Sequence, residues 1–247
     1  LKTFRPLLDR ERTDPLRDEL KHLAGVLGAA RDAEVLRDRL LEHVSAEPAE
    51  LVLGPVAQQI TDDLGGRYRR AHRAVVRELD GARYLQLLED LDALVTEPPL
   101  TERAQRKARK ELPRLVGRVW QRLRAARAAA DAAQTDDERA RLLHEVRKTA
   151  KQARYAGEAV APVLGRDAAR FAARAEAVQE ALGEHQDSVV TREALRALAV
   201  RAHLIGGNGF TFGRLHGRED ARAAHADAAF QLAWDELDRK KVVAWLR

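Results

Sequence analysis

The stretch His144-Glu-Val-Arg-Lys-Thr-Ala-Lys-Gln-Ala-Arg-Tyr155 decides how the rest of the chain is read. Wound as an α-helix at about 100° per residue, it gathers His144, Arg147, Lys148, Lys151, Arg154 and Tyr155 within about one third of the circumference. Leu142, Val146, Ala150, Ala153 and Val160 fall on the opposite side. One face is built to pack on neighbouring helices, and the other offers guanidinium, ammonium and imidazole donors to something anionic. The plain alternative is a solvated surface helix, but such faces usually interleave acids with bases. Here Glu145 lies to the side and Glu158 comes a turn later, so the stripe reads as largely unneutralised. Like charges stacked at i, i+3 and i+4 repel by roughly a few tenths of a kcal/mol per pair, a penalty that an anionic ligand would lift.

The whole chain fits that reading. Its 247 residues suffice for one large domain or two small ones with a proper core. Hydrophobic residues make up 45% and aromatics only 4%, an alanine-weighted balance that suits close-packed helices better than a sheet. A net charge of +5 and a pI near 9.7 favour a polyanionic partner. The absence of cysteine excludes a disulfide scaffold and any thiolate metal site. No apolar run approaches the ~20 residues that span a membrane, and no secretory signal opens the chain, so a soluble, cytoplasmic protein is expected. No methionine occurs either, from which an upstream N-terminal segment is expected.

Leu1 to about Arg12 reads as the tail of a helix already under way. Thr13 or Asp14 can cap the next helix, with Pro15 at its first position and Leu16, Leu20, Leu23 and Leu27 at helical spacing. Gly28 can end that helix and Asp32 cap a third through Val44, although one kinked continuous helix fits the same residues. Ser45 to Pro55 reads as a connection, followed by a helix to about Leu79 whose second half is crowded with Arg69, Arg70, His72, Arg73 and Arg77. Asp80-Gly81 signals a turn before a shorter helix over Ala82 to Val95. Glu97-Pro-Pro99 then marks the boundary between two halves, 1–99 and 100–247.

The second half opens with a helix expected over Thr101 to about Ala132. It carries another basic line, Arg103, Lys107, Lys110, Arg114, Arg118 and Arg122, and an internal Pro113 expected to bend it. Asp136 or Asp137 can cap the helix of the opening stretch, with Pro162 and Gly165 ending it. Two helices are expected over Asp167 to Leu182 and Asp187 to Ala202. A glycine-rich loop follows over Ile205 to Gly217, then a last helix from about Arg218 to Leu246. About ten helices and no convincing strand make the class all-α.

An internal repeat links the halves. Leu27-Gly28-Ala-Ala-Arg-Asp32 and Leu182-Gly183-Glu-His-Gln-Asp187 share one pattern. Upstream of each, Phe4-Arg-Pro6-Leu-Leu8 resembles Val160-Ala-Pro162-Val-Leu164, with the spacing changed by one. The pair suggests duplication of a unit of about 155 residues, which places the first-half counterpart of His144 to Arg154 before residue 1.

The chain resembles the CHAD (conserved histidine α-helical domain) family. The resemblance rests on LHEVRKTAKQARY at 143–155, LGAARDAEVL at 27–36, ALGEHQDSVV at 181–190, GARYLQLLEDL at 81–91 and GNGFTFGRLHGRE at 207–219. It implies two four-helix bundles related by a pseudo-twofold, with a basic groove or pore between them that binds inorganic polyphosphate. It also implies association with polyphosphate granules and pairing with a triphosphate- or polyphosphate-metabolising enzyme. Carried over by position, the polyphosphate-binding candidates are His144, Arg147, Lys148, Lys151, Arg154 and Tyr155, joined by Arg5, Lys21, Arg31, Arg114 and Arg118. The sequence departs from the family pattern in lacking the first half's opening basic helix and its histidine.

Polyphosphate carries charge on every unit and no bases, so a mixture of bidentate arginine and mobile lysine suits it. His144 can donate to phosphate or serve as a packing residue, and Tyr155 can donate its hydroxyl or pack at an interface. Arg31 and Asp32 can pair with each other, and Asp32 and Asp187 read as helix caps. Sharper chemistry fails on the residues. His144-Glu145-x-x-Lys148 has lysine where a zinc-protease motif needs its second histidine. Glu19-x-x-His22 lacks the second copy that a di-iron bundle requires. No Gly-Lys-Ser/Thr follows the glycines of 206–213, and His185 with Asp187 is a thin ligand set. The expected function is therefore a non-catalytic polyphosphate-binding module, without metal, cofactor or membrane partner. Nucleic acid is the alternative ligand, disfavoured because the basic faces offer few aromatics for base stacking. An accessory domain of a polyphosphate-metabolising enzyme is the other alternative.

Overall fold

The computed structural model describes residues 2–246; Leu1, in the expected helix tail, lies outside them. Eight α-helices are present among these residues: α1 (Arg10–Ser45), α2 (Val56–Leu79), α3 (Ala82–Thr96), α4 (Ala108–Asp131), α5 (Asp136–Leu164), α6 (Arg166–Leu204), α7 (Phe210–Leu237) and α8 (Lys240–Val243). Short 3-10 turns occupy Arg5–Leu7, Ala49–Leu51 and Glu102–Gln105. The described residues contain no strand, only an isolated antiparallel bridge between Leu8 and Leu100. The all-α class holds.

The count falls below ten because expected breaks are not breaks. Gly28 and Gly183 sit inside α1 and α6, so neither ends a helix, and Asp32 and Asp187 cap nothing. An interior glycine costs only about 1 kcal/mol relative to alanine, which the long apolar stripes on either side outweigh. At the other end of the chain, Gly213 and Gly217 lie within α7, which begins at Phe210. The Asn208 side chain accepts from the Phe210 N–H at 2.7 Å and so holds one of the helix's first free donors.

Residues ahead of α1 are not a helix tail. Asp9 caps α1, accepting from the Glu11 N–H at 3.0 Å, and Pro15 is an interior residue rather than the first. The Thr13 hydroxyl instead donates to the Asp9 carbonyl at 2.6 Å. The helix expected from Thr101 starts only at Ala108. Before it, Arg103 and Arg106 are drawn onto the buried carboxylate of Glu111, and that pairing holds the segment in a 3-10 turn.

Two compact units divide the chain in an interleaved way. The first comprises 1–7, 101–189 and 221–247; the second comprises 8–100 and 190–220. The expected halves of 1–99 and 100–247 are continuous, whereas each of these units is assembled from separate segments. The first unit's core joins Val116, Val119, Trp120 and Leu123 of α4 to Val146, Ala150, Ala153 and Val160 of α5, with Phe171, Ala175, Val178 and Leu182 of α6 and Phe230 of α7. Trp120 stacks on Trp234 at 5.7 Å and meets Phe171 edge-on at 6.1 Å. The second unit's core gathers Leu40 and Val44 of α1, Val56, Ile60 and Leu64 of α2, Leu195 and Leu198 of α6, and Phe212 and Leu215 of α7. Within it the buried Glu47 carboxylate is gripped by Arg214, at 2.6 Å, and by Arg218.

Candidate anion-binding site

Helix α5 opens on a built N-terminus and closes on a built C-terminus. The Thr135 hydroxyl accepts from the Glu138 N–H at 3.2 Å, and Asp136, Asp137 and Glu138 place negative charge in the first turn, where the helix dipole favours it. Gly165 ends the helix at φ +75°, a conformation that a side chain would resist. Leu143, Val146, Ala150, Ala153, Ala156, Gly157 and Val160 are all buried. Small residues allow a close approach to α6. A Cβ on Gly157 would stand only 3.0 Å from the Ala172 Cβ and 3.2 Å from the Ala168 carbonyl oxygen.

The opposite face carries the predicted cations, but they differ in availability. Lys148 is exposed and donates to Glu145 at 2.7 Å. That hydrogen bond holds the Glu145 carboxyl below the usual carboxylate range, with the charges of Lys148, His144 and Lys2 acting the same way and burial opposing them. Arg154 is half-buried, bonded to Glu158 at 2.8 Å and to Glu176 of α6 at 2.9 Å. The Glu158 hydrogen bond raises its pKa further. The expectation of a largely unneutralised stripe is thus corrected at two positions, because Glu145 swings onto Lys148 and α6 supplies an acid that no local spacing announces.

Two nitrogens on the remaining side chains make no hydrogen bond among the described residues: His144 Nδ1 and Arg147 Nε, both buried. Gln179 Oε1, on α6, is a third such atom, and sequence reading passed over it because a lone glutamine carries no spacing signal. Arg147 lies against α6, where a Cβ on Gly183 would sit 3.5 Å from its Nε. Lys151 is exposed, and its ammonium lies 5.8 Å from the centre of the half-exposed Tyr155 ring, with the Arg154 guanidinium at 5.6 Å. The Tyr155 ring is thereby flanked by cations.

Other predicted residues distribute unevenly. Arg5 belongs to the first unit with α5, as do Arg114 and Arg118, both exposed on α4. The neighbouring Thr3 hydroxyl accepts from Gln152 of α5 at 3.1 Å, so the segment before α1 lies along this helix. Lys21 and Arg31 are exposed on α1 in the second unit. Arg31 pairs with Glu34 at 2.7 Å, not with Asp32.

The discarded metal motifs have physical fates. Glu19 is taken by Arg83 at 2.5 Å and His22 by Glu78 at 3.0 Å. Lys148 neutralises Glu145 where a protease would need a base beside zinc. Among the described residues no cluster of three acids or histidines is placed to hold a metal, and no helix is long and apolar enough to cross a membrane.

Comparison with known proteins places the chain in a family. The CHAD domain family model matches residues 1–196, a span that includes all of α5 and the segment before α1. The chain belongs to the CHAD domain family. Two uncharacterized proteins of Mycobacterium tuberculosis, MT2285 and Rv2226, are each 38% identical to this CHAD chain over 222 residues, covering 90% of it and 42% of each relative. The chain thus spans less than half the length of the curated relatives it matches. The solved structure of PptA from Streptomyces chartreusis superimposes with a TM-score of 0.78 at 23% identity, covering 95% of this chain and 84% of that one, and shares its fold.

Proposed function

We propose that this CHAD domain is a non-catalytic binding module for inorganic polyphosphate, reading its ligand by charge along the outer face of α5. The observation that carries the reading is that His144, Arg147 and Lys151 share that face of α5 without an acidic partner among the described residues. His144 Nδ1 and Arg147 Nε are buried without a partner, and Lys151 stands outside any ion pair among the described residues. The His144 and Arg147 side chains are only partly buried as a whole, so each keeps surface that an anion can approach. Phosphoryl oxygens accept from all three donor types and carry the charge that Lys151 lacks a counterpart for. Arg5, Arg114 and Arg118 extend the positive charge within the same unit, and Tyr155 offers its hydroxyl beside them. Family membership supports polyphosphate as the polyanion, and recruitment to polyphosphate granules or to a polyphosphate-metabolising enzyme in the cytoplasm follows as part of the proposal.

Nucleic acid is the competing polyanion. The α5 face offers one aromatic ring, and base stacking on aromatics supplies about 1–3 kcal/mol per base in single-strand binders. Titrations of long-chain polyphosphate, short oligophosphates and single-stranded DNA at two salt concentrations test the reading. Tighter binding of long polyphosphate than of DNA at matched charge, weakening steeply with salt, is expected. Equal affinities would remove the ligand assignment, and phosphate release in the presence of divalent metal would overturn the non-catalytic one.

A further inference from the structure

Helix α2 carries a second cationic surface, one that the proposed site on α5 does not use. Between Asp63 and Glu78 the sequence holds Arg67, Arg69, Arg70, Arg73 and Arg77 and not one acid. The two acids that bound this stretch are already engaged. Asp63 accepts from Arg201 at 2.5 Å and lies 3.3 Å from Arg67, and Glu78 is 3.0 Å from His22 Nε2. Arg69, Arg70, Arg73 and Arg77 are exposed and form no ion pair among the described residues. In helical projection they fall within about 100° of arc, over about 12 Å of helix. That face turns away from the buried Val56, Ile60 and Leu64.

This surface differs in kind from that of α5. Acids at helical spacing sit on Lys148 and Arg154 of α5, whereas the α2 row has only repulsion within it. Arg69 with Arg73, Arg70 with Arg73 and Arg73 with Arg77 stack at i+3 or i+4, at roughly a few tenths of a kcal/mol per pair. Every free cation in the row is arginine, which grips phosphate oxygens bidentately and stacks its planar group on rings. Lysine does neither. Arg69 and Arg70 fold back along the helix: their Nη1 atoms lie 3.4 and 3.6 Å from where a Cβ on Gly65 and on Gly66 would stand. Those bare positions let two guanidinium groups rest against the backbone, so part of the ordering that binding demands is already done.

Rings border the row. His72 is exposed, and its imidazole stands 5.5 Å from the Tyr68 ring, which the Arg37 guanidinium flanks at 5.6 Å. Around the helix His72 lies about 60° from Arg69, so neighbouring side chains can meet a base and its phosphate together. No asparagine, glutamine or acid stands between 64 and 77 to read base edges.

We infer that the outer face of α2 binds single-stranded nucleic acid without sequence preference, with phosphates on Arg69, Arg70, Arg73 and Arg77 and a base stacked on His72. A base must be free of a duplex to reach that ring. The polyphosphate reading of α5 does not enter this inference.

The test is fluorescence anisotropy with the whole chain and two labelled probes, single-stranded DNA of mixed sequence and an abasic strand of the same length. Arg70→Ala with Arg73→Ala is expected to weaken DNA binding at least about tenfold at low salt. It should also flatten the slope of log affinity against log salt by about 1.4, two contacts at about 0.7 each. His72→Ala is expected to weaken DNA binding about fivefold and to leave the abasic strand unchanged. Lys151→Glu, on α5, is expected to leave DNA binding within about twofold of wild type. Undiminished DNA binding by the double variant overturns the surface. An abasic strand that binds wild type as tightly as DNA overturns the nucleic-acid assignment and leaves a phosphate-binding face. Loss of DNA binding in Lys151→Glu as large as in the double variant overturns the separation of the two sites. The substituted arginines are exposed and repel one another, so the double variant is expected to keep its Tm. Should it unfold, Arg73→Gln alone replaces it, with a flattening of about 0.7 expected and an unchanged slope sinking the contact.

Discussion

The Arg147 guanidinium packs over Gly183, its Nε 3.5 Å from where a Cβ on that glycine would stand. That is ordinary van der Waals contact, so a methyl group fits while a longer side chain does not. Gly183→Ala is expected to stabilise the protein by about 0.5–1 kcal/mol through helix propensity and to leave polyphosphate affinity unchanged. Gly183→Leu is expected to displace Arg147 and weaken binding severalfold. Thermal melts paired with titrations separate the two effects, and a Leu variant that binds like wild type would remove Arg147 from the site.

Gly157 predicts the opposite sign for the same chemical change. Its Cβ would stand 3.0 Å from the Ala172 Cβ and 3.2 Å from backbone atoms of Ala168 and Ala172. Backbone on a packed helix cannot give way cheaply, so Gly157→Ala is expected to destabilise by about 1–3 kcal/mol despite its better helix propensity. Urea unfolding of the two alanine variants side by side checks the contrast.

Glu145 restrains Lys148, so removing the acid should improve the site. Glu145→Gln is expected to tighten polyphosphate binding by roughly two- to fivefold at low salt. Lys151→Ala should flatten the slope of log affinity against log salt by about 0.7–0.9, the amount for one phosphate contact. Lys148→Ala should cost less than Lys151→Ala, because Lys148 is already partnered. A larger loss at Lys148 would show that the ion pair opens freely.

Acid sensitivity should centre on Glu47. The Arg214 hydrogen bond, aided by Arg218 and opposed by burial, holds its carboxyl below the ordinary value of 4.5. A carboxylate with a depressed folded-state pKa stabilises the protein fully above its unfolded pKa, and that stability is lost as pH falls through the folded value. Tm is therefore expected to fall with pH below about 4.5. Glu47→Gln should show a lower Tm at pH 7 and a shallower acid limb. An unchanged acid limb would place the sensitivity elsewhere.

Much of this architecture is legible before any coordinates. The bounds of α2 and α3 and the end of α5 follow from Pro55, Asp80-Gly81 and Gly165, where turn chemistry and apolar periodicity agree, whereas α5 is capped by Thr135 and not by the expected Asp136 or Asp137, which lie in its first turn. Reading fails where one local signal stands against tertiary packing, as at Gly28 and Gly183, whose modest cost is overridden by the leucines and alanines around them. It fails again at Asp9 and Asn208, short polar residues whose capping role shows only once the following turn is in place. In the site, the cationic face of α5 is visible from spacing alone. Part of its neutralisation is not: Glu145 and Glu158 stand at local helical spacing from Lys148 and Arg154, but Glu176 reaches Arg154 only through the packing of α6 on α5.

Helices α6 and α7 each pass from one compact unit into the other without a break, at Val189–Val190 and Asp220–Ala221. No single cut in the backbone can therefore release either unit as an intact piece, and a fragment taken at the Pro98-Pro99 break carries one orphaned half-core with it. Each unit is thus written in the sequence as separated segments, so its boundary is crossed by the backbone more than once.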